Sequence, residues 1–572
     1  MTSGKPKSSP RTAVVIGGGI TGLATAALLA REGLDVTVLE KNSTPGGRTG
    51  NWETEGFRFD TGPSWYLMPE VFDHFYRLLG TSAAEQLDLR LLDPGYRAYF
   101  EGHERPLETR VARADNQALF ESVEPGAGEA LGTYLDAADE TYRMALRHFL
   151  YTSFDRVGDV LNRDVLRRAP QLAPMLLRSL KTYVDSRFTD TRLRQVLGYP
   201  AVFLGGSPER IPALYSLMSR MDLDDGVLYP QGGFAAFVDT LVALATAHGV
   251  AVRTGACVTA ITTAEPGSRS RAARLRRRGL ARSRAEVSGV TYRTGDGEVH
   301  HLPADVVVGA TDLHHVETQL LPAELQSYPE SYWKRRDPGP GAVLVYLGVE
   351  GELPELTHHT MFFTEDWTEN FDGVLGDSRG RGKYLPDPAS SYVCKPSATD
   401  PDVAPDGAEN LFILVPVPAD VSLGRGGIGG TGDPTVEKVA DAAIAQVAAW
   451  AGIPDLAERI RVRRTVGPGD FAADLNAWSG SMLGPGHRLS QSAFFRTKNI
   501  SRKVDGLLYA GCSTMPGIGL PMCLISAELV LKRLRGERRG GALPEPGGRE
   551  VAFEGLSRDG RGGDTLVGGS RR

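Results

Sequence analysis

Cysteine is scarce in this chain, and long apolar runs and zinc-type histidine spacings are missing altogether. The four cysteines, Cys257, Cys394, Cys512 and Cys523, form no CxxC pair and no framework spacing among 572 residues. That excludes a disulfide scaffold and predicts free thiols in a reducing cytosol. The histidines His314-His315 and His358-His359 are adjacent pairs. Surface or loop positions are expected for them, and no metal site is assigned. A net charge of −6 is small for this length, so no nucleic-acid partner is expected. No stretch reaches the roughly eighteen apolar residues of a spanning helix. The nearest, 517–531, is broken by Glu528. Residues 1–10 carry Lys5, Lys7 and Pro10 and lack the apolar centre of a secretory signal. The expected place is cytoplasmic, with any membrane contact peripheral.

What the chain does have is a signature split between its two ends. A β-branched run, Thr12–Ile16, leads into Gly17-Gly18-Gly19-Ile20-Thr21-Gly22, then an apolar helical stretch to Arg31 and a second strand over 36–39 that ends in Glu40. Gly17 permits the tight turn out of the strand, Gly19 lets the backbone approach a pyrophosphate, and Gly22 lets the helix pack on the sheet. The phosphates would sit on free N–H groups at the helix N-terminus, where the dipole favours negative charge. Glu40 stands where a carboxylate accepts hydrogen bonds from a ribose 2′-OH, which disfavours the 2′-phosphate of NADP. A second glycine-rich passage follows at once, with Gly46-Gly47-Arg48 and then Phe59-Asp60-Thr61-Gly62-Pro63-Ser64. Low side-chain bulk there suits a chain passing beside a pyrophosphate and a flavin, and Arg48 can offset phosphate charge. The other half of the signature runs from Gly506 to Pro521 and reads GLLYAGCSTMPGIGLP.

A chain of this length exceeds one core, and two or three lobes are expected. Hydrophobic content of 41% and charged content of 23% fit an ordinary globular protein. Residues 1–10 are expected to be disordered, with 11–100 forming the first part of a cofactor domain. A helical lobe over 101–227 would face substrate or membrane. The cofactor domain would resume over 228–325, where Tyr229-Pro230-Gln231-Gly232-Gly233 turns into a helix and strands follow near 250–252, 257–261 and 305–310. A second sheet would occupy 326–475, with strands near 342–347 and 411–415. The cofactor domain would close over 476–535, and 536–572 would be a disordered tail rich in Gly, Arg and Pro. Within the helical lobe, Leu172, Met175, Leu176, Leu180 and Tyr183 share an apolar spacing. From Arg143 to Arg194 eleven Arg and Lys face five Asp, an excess of six positive charges. A basic amphipathic segment suits an anionic lipid surface, and a solvated helical face is the equal alternative. The insertion 265–286 holds eight arginines between 269 and 284 with no acid among them. It is expected to be a mobile, solvated connection, with lipid attraction as second reading.

These motifs, with 396–418 in the second lobe, resemble the bacterial-type phytoene desaturases, FAD-dependent enzymes of carotenoid synthesis, over about residues 12–534. The resemblance implies an α/β fold. A Rossmann-like FAD domain of the amine-oxidase and phytoene-desaturase type would carry an inserted helical lobe and a mixed-sheet substrate domain. It implies FAD held by Gly17, Gly18, Gly19, Thr21, Gly22, Glu40, Lys41, Gly47, Arg48, Pro63, Ser64, Val258, Gly511, Cys512, Gly519, Leu520, Pro521 and Met522. The last of these begin a helix over 522–534 whose N-terminus could stabilise a reduced flavin. The implied activity is insertion of carbon–carbon double bonds into phytoene or a related long isoprenoid drawn from the membrane, with oxygen or a quinone as final electron acceptor. The alternatives are a later-step carotenoid dehydrogenase, ketolase or isomerase, an amine or protoporphyrinogen oxidase of the same fold, or a non-oxidising carotenoid carrier. Met515 departs from the His, Gln or Thr common before the Pro-Gly pair in that family. No catalytic residue is assigned. Asp60 is read as stabilising its turn, and Cys512 as a small buried filler.

Overall fold

In the computed structural model, residues 11–156, 158, 163–265, 284–376, 382–547 and 551 are described. The expectations for residues 1–10 and for most of the arginine insertion lie outside them. Thr12–Ile16 forms the centre of a five-stranded sheet. It pairs in parallel with Asp35–Leu39 on one side and Val306–Gly309 on the other, and Ala251–Arg253 and Leu507–Tyr509 complete the edges. Side chains alternate across a strand, so this central one splits its apolar residues between two cores. Ala13 and Val15 join one cluster with the helices Ile20–Arg31, Gly233–Ala247 and Leu520–Arg535. Val14 and Ile16 join the opposite cluster with Val258, Ile261, Val290 and Tyr292. Those four belong to the antiparallel strands Ala256–Ala264 and Ala285–Thr294, with Val299–Pro303 alongside. Three separated segments of the chain thus build one cofactor domain around its first strand.

The second sheet has seven strands. Gly341–Glu350 lies between Ile460–Val466 and Ala408–Val417, followed by Ser391–Cys394, His359–Phe363, Tyr96–Phe100 and Leu107–Thr109. One face is covered by the helix Pro434–Ala451. The other packs on aromatics and on the helices Ala127–Met144, Leu180–Asp185 and Thr191–Gly198. The hairpin of 96–109 was expected in the cofactor domain and the helical lobe. Its position is set by parallel pairing of Arg97 with Thr360, a contact that no local pattern encodes.

Two further expectations differ from the structure. The apolar face of the helical lobe is divided: Leu180 and Tyr183 are buried and Met175 packs on the core, but Leu176 is 39% exposed on the helix Arg163–Leu177. The tail, expected to be disordered from 536, is packed as far as it is described to 547. Leu543 is buried, and its backbone N–H donates to Glu528. Lys532 donates to the carbonyls of Tyr151, Arg539 and Gly541, while His74 lies between Glu528 and Glu545. Buried charges on the last helix need partners, and this segment supplies them whatever its composition.

Asp222 lies in the wall between the helical lobe and the second sheet, where it accepts a hydrogen bond from the Tyr199 hydroxyl at 2.5 Å. Burial raises its carboxyl from 3.8 to about 7. Between those values the folded chain binds more protons than the unfolded one, so stability falls as pH rises through that window and levels off above it. Asp222→Asn is expected to remove part of this slope, on the order of a few kcal/mol between about pH 4 and pH 8. Denaturant unfolding at both pH values checks it, and an unchanged difference refutes it.

Candidate dinucleotide site

Gly17 has φ +103° and donates its N–H to the Leu39 carbonyl at 2.8 Å, so the first turn is pinned to the neighbouring strand. A Cβ on Gly22 would stand 1.9 Å from the Gly17 carbonyl oxygen, which explains the third glycine by helix–strand contact. At Gly19 the nearest atoms would be 3.8 Å from a Cβ, and the helix that begins at Ile20 has no side-chain cap. Its N–H groups and the space before them are left for a ligand. Glu40 is buried; one carboxylate oxygen accepts from Gly18 N–H at 2.6 Å and the other from Asn42 N–H at 2.9 Å. A carboxylate has about four acceptor sites, so each oxygen keeps capacity for a ribose hydroxyl.

The glycine pair closes against this turn. Gly46 N–H donates to the Gly18 carbonyl, and a Cβ on Gly47 would come within 3.2 Å of the Gly19 Cα. Arg48 donates from Nε to the Met482 carbonyl at 2.9 Å and reaches the Cys512 sulfur at 3.7 Å. Its Nη2 is buried with no partner among the described residues. An unsatisfied buried guanidinium nitrogen costs free energy that a pyrophosphate oxygen would recover.

The C-terminal signature meets the N-terminal one here. The helix Leu520–Arg535 starts after Gly519 (φ +116°) with no side-chain cap, and it packs directly on Ile20–Arg31. Gly511 (φ +114°) presents its Cα side to Thr21, whose hydroxyl oxygen would be 3.8 Å from a Cβ there. Burial pushes the Cys523 thiol up to about 12, so it remains a neutral filler beside Thr21. Two uncapped helix N-termini, an unpartnered arginine nitrogen and glycines at the close approaches therefore converge. This donor set fits an FAD pyrophosphate between the helices.

Residues absent from the sequence expectation hold the signature loop. Asn499 is fully buried, and its Nδ2, with two protons to donate, lies within hydrogen-bond reach of the carbonyls of Tyr509 and Met515 and the hydroxyls of Thr514 and Ser526. Ser526 in turn accepts from Gly511 N–H at 3.0 Å. Buried Arg496 donates to the carbonyls of Thr514, Gln491, Pro485 and Cys512. His487 accepts from Ile518 N–H at Nε2, which leaves its Nδ1 proton for the Tyr215 hydroxyl. A Cβ on Gly517 would stand 2.2 Å from the His487 ring, so the Pro-Gly pair fits this histidine. Asn499 and Arg496 lie outside any glycine motif, and no sequence signal distinguishes them from surface polar residues.

The other expected site residues are placed as follows. Leu520 and Met522 are buried at the start of the last helix, with Pro521 half-buried between them. Val258 is buried in the core below Leu39 and Glu40. Lys41 donates its ammonium to the Ala473 carbonyl at 2.6 Å and to Asn476, and burial lowers its pKa. Ser64, which follows Pro63, exchanges a 2.6 Å hydrogen bond with the Tyr392 hydroxyl on the second sheet. Asp60 does more than stabilise its own turn. Its two oxygens accept from the N–H groups of Phe234 and Ala235 and so cap the helix Gly233–Ala247 across 174 residues of chain. Burial raises its carboxyl to about 6. His358 and His359, expected at the surface or in a loop, are buried, and His359 begins a central strand. Adjacency excluded only helix-spaced ligation; burial followed from the strand pairing.

Arg48→Gln should weaken FAD retention by about ten- to a hundredfold, the worth of one charged hydrogen bond in a buried site. Flavin released from gel-filtered protein measures it, and undiminished retention would remove Arg48 from the site.

The sequence profile described as "Flavin containing amine oxidoreductase" matches residues 20–530. A carotenoid 3,4-desaturase of Haloarcula japonica is 39% identical over 514 residues, covering 90% of this chain and 96% of the relative. A zeta-carotene-forming phytoene desaturase of Myxococcus xanthus is 34% identical, covering 92% and 94%. Among solved structures, an oxidoreductase from Methanosarcina mazei superposes with TM-score 0.53 at 16% identity, covering 91% of this chain and 100% of that one. A putative protoporphyrinogen oxidase from Exiguobacterium does so with TM-score 0.53 at 15% identity, covering 92% and 99%. These two likenesses concern the fold alone. By the match along most of its length and by its relatives, the chain belongs to the flavin-containing amine oxidoreductase family and, within it, to the FAD-dependent carotenoid desaturases.

Proposed function

We propose that this chain introduces carbon–carbon double bonds into a long isoprenoid of the phytoene and carotenoid class, working from a membrane surface. The observation that carries the reading is 39% identity along nine-tenths of the chain to a carotenoid 3,4-desaturase, with the dinucleotide site intact at both ends. When bound, FAD supplies the two-electron acceptor that no amino-acid side chain offers. The chain's own residues orient and enclose. Arg48 and the two bare helix N-termini would hold its pyrophosphate, and His487 with Arg496 fixes the loop from Cys512 to Ile518. Trp65, Tyr199, Phe203 and Phe363 pack ring to ring between the helical lobe and the second sheet, an apolar surrounding compatible with a polyene. No side chain is assigned the departing proton.

The two relatives favour different steps, and the higher identity is to the later one. Expression in a host that makes phytoene, and separately in one that makes lycopene, tells them apart. Lengthened conjugation from phytoene alone marks an early desaturase, and from lycopene alone a later one. Unchanged pigments in both, with FAD-loaded protein recovered, would refute the proposal. Oxygen or a quinone is the proposed final acceptor, and reoxidation rates with each would separate them.

The membrane reading rests on the helix Arg163–Leu177. Leu166 (57%), Leu176 and Leu177 are exposed on it, with Arg163, Arg167 and Arg178 exposed around them. Among the described residues no helix is long and apolar enough to cross a membrane. Exposed leucines among arginines fit the headgroup boundary of an anionic bilayer. Combined Arg163→Glu, Arg167→Glu and Arg168→Glu should reduce co-sedimentation with anionic liposomes by about tenfold or more. Unchanged co-sedimentation would sink the membrane reading and leave the desaturase reading standing.

A further inference from the structure

His358, His359 and Cys394 gather in the interior of the second sheet, where Tyr392 links His359 to Ser64. His359 and Cys394 are directly opposed across the antiparallel pair His359–Phe363 and Ser391–Cys394, so their side chains share a face. His358 precedes the strand, and its carbonyl accepts from Lys395 N–H at 2.8 Å. Freed from the strand's alternation, its ring lies 4.6 Å from that of His359. One ligand atom from each of the three residues lies within 4.8 Å of the other two. All three side chains are buried.

Each ring has a hydroxyl at Nδ1, an arrangement that metal-bound histidines also use. His358 Nδ1 is 2.8 Å from the Thr399 hydroxyl, and His359 Nδ1 is 2.7 Å from the Tyr392 hydroxyl. Each Nδ1 thus has a hydroxyl partner that orients the ring and can accept its proton. In the tautomer with the proton on Nδ1, both Nε2 atoms are lone pairs, and both are buried without a partner among the described residues. Two unpaired acceptors side by side in a dry interior are costly unless something positive meets them. The His359 ring is also stacked on Trp65 at 4.4 Å and 11°, which fixes its plane.

We infer that His358, His359 and Cys394 form a binding site for one thiophilic transition-metal ion of the Zn²⁺ type, separate from the flavin chemistry. Two imidazoles and a thiolate are a donor set that Zn²⁺ accepts in tetrahedral geometry. Zinc–ligand distances of about 2.0–2.3 Å place such ligands roughly 3.4–3.6 Å apart, so the side chains close in by about 1 Å on binding. The thiol proton leaves to solvent as the metal binds. The resulting site carries one net positive charge, and the Asp60 carboxylate acts electrostatically on the Cys394 sulfur. A cavity of about 10 Å³ touches Cys394, Asp60, Ser64 and Tyr229 on the thiol side of the cluster, and neither histidine lines it. The ion would bind the two strands together behind the Asp60–Ser64 turn that reaches the cofactor side.

The test uses the full-length FAD-loaded protein expressed with Zn²⁺ in the medium and exhaustively dialysed. Elemental analysis is expected to give about one equivalent of metal per chain, with Cys394→Ser lowering it by about tenfold or more while flavin content holds. Cys257→Ser, which alters an exposed thiol, should leave it unchanged. A second measurement needs no variant: protein produced with Co²⁺ should show thiolate-to-cobalt charge-transfer absorption. Wild-type protein with neither bound metal nor that absorption would overturn the inference. So would metal retained equally after Cys394→Ser, since the ion would then sit elsewhere.

Discussion

The helix Ile20–Arg31 lies so close to the strand before it that a single methyl group on Gly22 would collide with the Gly17 carbonyl. That approach decides the rest of the cofactor domain. It aims the helix N-terminus at the space above the sheet and leaves its first N–H groups uncapped. The last helix packs against the same element with its own bare N-terminus, bringing residues nearly five hundred positions apart together. Both termini favour negative charge, and the unpartnered Arg48 nitrogen lies beside them. Without the Gly22 contact these dipoles and this cation would not converge.

Long-range capping holds the two lobes in register. Asp60 leaves the cofactor side of the chain and caps a helix 174 residues later, and Asp400 from the second lobe accepts from Gly232 N–H and the Tyr229 hydroxyl. Gly232 and Gly233 both take positive φ, and a Cβ on Gly233 would lie 2.6 Å from an Asp60 oxygen. Gly233 therefore leaves room for that carboxylate. Asn499 and Arg496 do the equivalent for the signature loop, donating to carbonyls that no secondary structure satisfies. These buried side chains set the loop's shape as firmly as its glycines and proline do.

Local pattern made much of this legible. The strand at Thr12–Ile16, the helix after it, the strands near 306–309 and 408–417 and the final helix all carry their periodicity or glycine punctuation in plain order. The glycines of the dinucleotide turn were readable because each answers a steric demand that recurs wherever a strand turns into a phosphate-binding helix. Less legible were residues whose role is a contact across the chain. Lys41 is spent on the Ala473 carbonyl, Ser64 faces Tyr392, and the tail to 547 folds onto Glu528 and Lys532. The apolar spacing in the helical lobe was real, yet part of it faces outward, because periodicity shows that a face exists and not what covers it.

The sequence by itself determined the cofactor class, the parallel first sheet and the kinship to the carotenoid desaturases. The dinucleotide turn depends on short-range spacing, where glycine, a β-branched run and a terminal Glu40 leave few alternatives; the kinship rests on the resemblance of motifs at both ends of the chain. Only the tertiary structure decided that Asp60 is a helix cap, that Tyr96–Phe100 belongs to the second sheet, and that His358, His359 and Cys394 share one buried corner. Strand order and register bring those groups together, and register is a property of paired segments far apart in sequence.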